Sequence, residues 1–144
     1  MYNFTKRIID ILLSLSFLLL FFPIIIISST LIKISSPGPI FYRGERAGQH
    51  GKKFLIIKFR TMHVGSDKGS GTTSLEDSRI IKYGSFLRSY KIDEIPQFIN
   101  VLIGDMSLVG PRPELLDYVK KYKGDEIKIL SVKPGITDYS SIYF

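Results

Sequence analysis

A chain of 144 residues is long enough for one domain with a modest core and too short for two. With no cysteine and two histidines, it excludes a disulfide framework, a cysteine nucleophile and a Cys- or His-rich metal site, which leaves hard, oxygen-bound cations as the metals to expect. The net charge of +7 is uneven: residues 1–62 hold nine Lys/Arg against Asp10 and Glu45, while residues 63–144 hold eleven of each sign, so the excess sits beside the most apolar stretch and reads as attraction to anionic lipid headgroups rather than to nucleic acid.

Residues 11–32 run 22 positions without a charge. At ~1.5 Å per residue this is ~33 Å of helix, against ~30 Å of bilayer hydrocarbon. No small-residue cleavage site follows, as a signal peptide would need. Pro23 removes a hydrogen bond near the middle and favours a bend. Lys6 and Arg7 flank the start, and Lys33, Arg43 and Arg46 follow the end, so the positive-inside bias pulls both ends to the cytoplasm. A plain transmembrane anchor and a re-entrant helix-break-helix both remain open. In the second, the 12 residues before Pro23 reach ~18 Å into the bilayer and the rest return.

Ser35-Ser36-Pro37-Gly38-Pro39 is a turn cluster that closes this segment. Residues 40–43 and 54–61 read as short strands around a loop containing Gly44, Gly48 and Gly51. The period of two puts Leu55, Ile57 and Phe59 on one face of the second strand and Lys58 and Arg60 on the other. Residues 64–74 have the composition of a phosphate-cradling loop without its residue order, and read as a surface loop. Ser74-x-x-Asp77 is a loose helix start for a pattern that runs to Tyr90. Pro96 and Pro113 mark two further first turns. They predict a helix from near Asp93 through Leu102, and another over 114–122 closed by Lys120, Lys121 and Lys123. The last helix fits either ordinary core packing or a position on a membrane surface.

Asp93-Glu94 at a helix start can favour bound phosphate or hold a divalent cation, although such a pair is ordinarily a solvated cap. Arg112, between Pro111 and Pro113, is biased toward an extended conformation, so its guanidinium loses little freedom on binding phosphate bidentately; the same sequence also suits a structural turn. Arg88 lies five residues before Asp93. Together these are carboxylates able to hold Mg²⁺ or attack phosphorus, and guanidinium groups able to neutralise a diphosphate.

Five motifs occur in order: Lys6-Arg7-Ile8-Ile9-Asp10 before a Pro-broken apolar helix, Lys58-Phe59-Arg60-Thr61-Met62, Asp93-Glu94-Ile95-Pro96-Gln97, Gly104-Asp105-Met106-Ser107-Leu108-Val109-Gly110-Pro111-Arg112-Pro113, and Lys133-Pro134-Gly135-Ile136-Thr137. Over residues 6–138 the chain resembles the bacterial sugar transferases, monotopic phosphoglycosyl transferases that start glycan assembly on polyprenyl phosphate. The resemblance implies an α+β, mainly helical fold, with a re-entrant membrane helix (1–34) broken at Pro23 and a cytoplasmic-face catalytic domain (35–144) containing a short β-hairpin and amphipathic interfacial helices. It places the protein at the bacterial inner membrane, with a homodimer permitted and no nucleic-acid partner.

The reaction it implies moves a sugar 1-phosphate from a UDP-sugar to undecaprenyl phosphate through Asp93 as nucleophile. Glu94, with Asp93, would hold Mg²⁺ or Mn²⁺. Arg88 and Arg112, with Lys58 and Arg60, would lie on the phosphates, and Asp105 would brace the loop before Arg112. Lys6, Arg7, Asp10 and Pro23 would set the membrane helix. Two departures stand out: Phe22 replaces the family's small residue before the proline, and the chain stops at Phe144, where the family continues through further helical sequence. The second keeps open an inactive, membrane-bound remnant with a scaffold role.

Overall fold

The computed structural model describes residues 2–66 and 77–138. The apolar segment folds as two helices, α1 (Tyr2–Leu20) and α2 (Phe22–Ser35), bent by 61°. The break comes just before Pro23, which has no N–H for the carbonyl four residues back and whose ring crowds that carbonyl. Pro23 then sits in the first turn of α2, where an N–H would lack an intrahelical partner anyway. No single helix among the described residues is long and apolar enough to cross a membrane. The bent pair nevertheless leaves Leu12, Leu13, Leu19, Leu20, Ile26 and Ile27 exposed, a surface that water disfavours.

The hairpin pairs β1 (Phe41–Ala47) with β2 (Lys53–Phe59) in antiparallel register, Tyr42 opposite Lys58 and Arg46 opposite Phe54. The first strand is longer than the sequence suggests. Gly44 belongs to it rather than to the loop, paired opposite Ile56, and the Tyr42 ring occupies the space a Cβ would need, 2.7 Å away. The second strand ends at Phe59 and buries both faces, unlike the one-sided pattern of Leu55, Ile57 and Phe59. Phe54 and Ile56 pack with Val101 and Met106, while Phe59 packs with Ile32, Ile81 and Leu87. Leu55 is exposed. Full burial of side chains of this size is worth about 1.5–3 kcal/mol each, and Ile32 brings the end of α2 into the same cluster as the hairpin.

The helix expected from Ser74 to Tyr90 is shorter. Residues 67–76, which include most of the 64–74 loop, lie outside the described residues, and α3 spans only Gly84–Ser89. A 3-10 turn, Ile92–Glu94, precedes α4 (Gln97–Ile103). β3 (Ser107–Val109) runs parallel to a later strand, Gly135–Thr137, which no sequence pattern announced. Their close approach needs glycine twice: a Cβ on Gly135 would lie 2.1 Å from the Gly110 nitrogen, and one on Gly110 would lie 2.4 Å from the Lys133 carbonyl oxygen.

The helix expected over 114–122 shrinks to α5 (Leu116–Val119). The Glu114 carbonyl accepts from the Ala47 N–H at 2.9 Å, and Leu115 is extended, so the first turn after Pro113 cannot form. Of the expected apolar side, Leu115 is exposed while Leu116, Val119 and Tyr122 are half-buried. A 3-10 segment, Gly124–Ser131, leads into the last strand, here β4 (Gly135–Thr137).

Candidate active site

Lys91 controls how the carboxylates are presented. It follows α3 in the left-handed region, at φ 57°, a conformation uncommon outside glycine. The chain therefore reverses, and the next turn carries Asp93 inward. Asp93 and Glu94 do not cap α4, as a pair at a helix start might. Pro96 holds the N-cap position without a side-chain hydrogen bond, and α4 begins only at Gln97.

Asp93 is buried, and its Oδ1 has no hydrogen-bond partner; the Nη1 of Arg88, in the last turn of α3, is likewise buried and unpartnered. Leaving such atoms unsatisfied is costly, by about 1–3 kcal/mol for a neutral group and more for a charged one. Burial is the main cause that raises the Asp93 carboxyl above its ordinary range, and the neighbouring Glu94 charge adds to it. Lys58, Arg88 and Lys91 pull in the opposite direction. Glu94 faces Lys58 of β2, whose Nζ donates to Oε1 at 2.7 Å.

Lys58 and Glu94 open onto a cleft of about 230 Å³, which Gln97, Arg112, Glu114 and Tyr118 also line. Arg112 is exposed, and its guanidinium has no hydrogen-bond partner among the described residues. It is delivered by β3 and by the Gly135 N–H, which donates to the Pro111 carbonyl at 2.9 Å. The structure thus brings Lys58, Glu94 and Arg112 to one cleft, with Asp93 buried beside Glu94 in the chain and the half-buried Arg88 close enough to act on the Asp93 charge.

Arg60 is placed elsewhere. β2 ends at Phe59, so the alternation that grouped Arg60 with Lys58 stops there. Its guanidinium is buried and donates to the carbonyls of Pro39 (2.6 Å) and Ser36 (2.8 Å) and to Ser36 Oγ (3.1 Å). It ties the end of α2 to the hairpin instead of lining the cleft. Asp105 makes no side-chain hydrogen bond or ion pair among the described residues. A different side chain, Asn100, accepts from Ile57 N (2.9 Å) and donates to Leu55 O (2.8 Å), fastening α4 along the free edge of β2.

The charges at the start of the apolar segment are engaged with protein. Arg7 donates to the Val101 and Leu102 carbonyls at the end of α4, at 2.5 and 2.8 Å, where helical carbonyls lack partners. Lys6 pairs with Asp10 at 3.1 Å and also reaches Ser107, and Asp10 accepts from Ser107 Oγ at 2.8 Å. α1 is therefore docked on α4 and β3, with Phe17 stacked on Phe98 at 5.2 Å.

Among the described residues no three carboxylate, histidine or cysteine side chains cluster as a metal site. Two adjacent carboxylates, one with an unpartnered oxygen, nonetheless suit Mg²⁺, which takes one or two carboxylates and fills its shell with water and substrate phosphate. The sequence did not single out Glu114 or Tyr118, and Arg46 entered only as a charge that follows the apolar segment, yet all three line the cleft. The only available signal was the hairpin register that puts Arg46 on the same face as Lys58.

A family model described as bacterial sugar transferase matches residues 1–144. The chain is 42% identical over 142 residues to the UDP-glucose:undecaprenyl-phosphate glucose-1-phosphate transferase of Escherichia coli strain K12, which covers 95% of this chain and 30% of that protein. It is 39% identical over 146 residues to the UDP-N-acetylgalactosamine-undecaprenyl-phosphate N-acetylgalactosaminephosphotransferase of Aeromonas hydrophila, covering 98% of this chain and 34% of the relative. Against the uncharacterized sugar transferase EpsL of Bacillus subtilis strain 168 it is 39% identical, covering 95% of this chain and 67% of the relative. The chain thus spans about a third of the length of the first two relatives and two thirds of the third.

Proposed function

The chain belongs to the bacterial sugar transferase family, and from that premise we propose that it transfers a sugar 1-phosphate from a UDP-sugar to polyprenyl phosphate, giving a polyprenyl-diphosphate sugar and UMP. The observation that carries this reading is the Asp93 carboxylate, buried with an unpartnered oxygen next to Glu94, where Lys58 and Arg112 converge on a cleft. In the first step an Asp93 oxygen attacks the β-phosphorus of the donor. A carboxylate–phosphorus bond forms, the bond to the bridging oxygen breaks, and UMP leaves with that electron pair. In the second step a lipid phosphate oxygen attacks the same phosphorus, and the Asp93 carboxylate is regenerated.

Arg88, Arg112 and Lys58 offset the charge that would otherwise repel a carboxylate from a diphosphate. The left-handed Lys91 and the burial of Asp93 hold the nucleophile oriented and poorly hydrated. Mg²⁺ or Mn²⁺, held by Glu94 and Asp93, would supply further neutralisation of the diphosphate.

The same reading makes residues 1–34 a re-entrant membrane segment and residues 35–144 the catalytic unit at the cytoplasmic face of the inner membrane. Its support is the 61° bend, the exposed apolar surface of both helices, and basic residues at both ends.

Purified protein given a panel of UDP-sugars and Mg²⁺ without lipid acceptor should release UMP up to about one equivalent and gain the mass of a sugar phosphate. Asp93→Asn should do neither. Lipid-linked product formed at an undiminished rate by the Asn variant would overturn covalent transfer and require direct attack by the lipid phosphate.

A further inference from the structure

At the end of β1 the cleft is lined by Arg46 and by Glu114, whose carbonyl accepts from the Ala47 N–H, with Tyr118 from the α5 turn that follows; the transfer chemistry uses none of the three. We propose that this part of the cleft is the nucleoside subsite of the donor: the Tyr118 ring and the Arg46 guanidinium hold the base, and the Glu114 carboxylate receives the ribose hydroxyls. This rests on the reading of the chain as a UDP-sugar transferase.

Distance along the hairpin is the first support. Tyr42 is opposite Lys58 and Arg46 opposite Phe54, so Arg46 and Lys58 share a face and stand four residues apart along the strands. At ~3.4 Å per residue that is ~14 Å, a separation that an extended nucleoside diphosphate can bridge with a phosphate near Lys58.

The chemistry of the three side chains is the second. Arg46 makes one hydrogen bond, from Nη1 to the Glu45 carbonyl at 2.7 Å, and no ion pair among the described residues, so its plane is positioned while most of its donors remain open. Tyr118 is 53% exposed and has no aromatic neighbour among the described residues, with the Lys121 ammonium 5.8 Å from its centroid. An aromatic ring and a guanidinium are the two planar groups on which an uncharged base stacks. Glu114 has no ion pair among the described residues, and its backbone is fixed to the end of β1 through the Ala47 N–H. A carboxylate lining this part of the cleft disfavours a phosphate there, but suits a pair of hydroxyl donors.

The test is calorimetric titration of the detergent-solubilised full chain with UMP, ribose 5-phosphate and inorganic pyrophosphate. Tyr118→Ala should weaken UMP about tenfold, within the range found for loss of one base–aromatic stack, and leave ribose 5-phosphate unchanged. Tyr118→Phe should retain UMP. Glu114→Gln should weaken UMP and ribose 5-phosphate together and leave pyrophosphate unaltered. UMP binding untouched by Tyr118→Ala, or weakened in equal proportion for all three ligands, overturns the subsite and leaves the transferase reading standing. Failure of the unaltered protein to bind UMP removes that reading and the subsite with it.

Discussion

Asp10 in the first helix accepts a hydrogen bond from Ser107, 97 residues later, at 2.8 Å, and Lys6 closes the same cluster. The contact joins the apolar segment to β3, and β3 leads directly to Arg112. Docking of α1 and placement of Arg112, the arginine proposed to bind phosphate, are therefore structurally linked. Ser107→Ala removes a buried donor from a carboxylate and should cost about 1–3 kcal/mol, read by thermal unfolding in detergent. Product formation should fall with it. A Ser107→Ala protein with unaltered unfolding would show that the cluster does not hold the two parts together.

Arg60 and Arg112 should separate stability from function. Arg60→Ala strands the Ser36 and Pro39 carbonyls in a buried site and should destabilise by about 2–4 kcal/mol. Arg112→Lys touches no internal partner and should leave the unfolding midpoint where it was, while lowering kcat/KM at least about tenfold, since an ammonium cannot reproduce a bidentate phosphate contact. The reverse pattern would reassign the two residues.

The Asp93 carboxyl has a definite sign in the dependence of stability on pH. Burial, followed by the Glu94 charge, raises it above 3.8 in the folded protein, so the folded state binds this proton more tightly than the unfolded chain does. Its ionisation destabilises the fold progressively as pH rises from 3.8 through the folded value. Asp93→Asn should therefore unfold at a higher temperature than the parent at neutral pH, and the advantage should vanish at acid pH. Equal midpoints at neutral pH would mean that Lys58, Arg88 and Lys91 compensate the buried charge in full.

Chelation tests the assignment to Glu94. Product formation should stop in excess EDTA and return with Mg²⁺ or Mn²⁺, because the cations of the protein alone leave a diphosphate under-neutralised. Full activity in the chelator would leave Glu94 only its pairing with Lys58.

Topology can be read by labelling single cysteines, since the chain has none of its own. Phe4→Cys and Pro37→Cys occupy exposed positions on either side of the bent helices. Both should react with an impermeant reagent only from the cytoplasmic side. Periplasmic reaction at position 4 would establish a span.

Much of this was legible along the chain because its causes are local. Pro23 lacks an N–H, so the apolar run had to break near it, and the structure breaks one residue before α2 resumes. The hairpin, the first turn after Pro96 and the turn cluster after α2 follow from residue type in the same way. What local sequence could not determine was which face of β2 is inside, because both faces carry apolar residues and α2, α3 and α4 cover different ones. It equally could not distinguish Arg60 from Arg112. Both are arginines in extended segments beside turn residues, and only the arrival of Ser36 and Pro39 buries the first while the second stays open to the cleft. Burial and pairing are set by residues tens of positions away. For that reason the Lys58–Glu94 contact, the unpartnered oxygen of Asp93 and the Asn100 bridge belong to the tertiary structure alone.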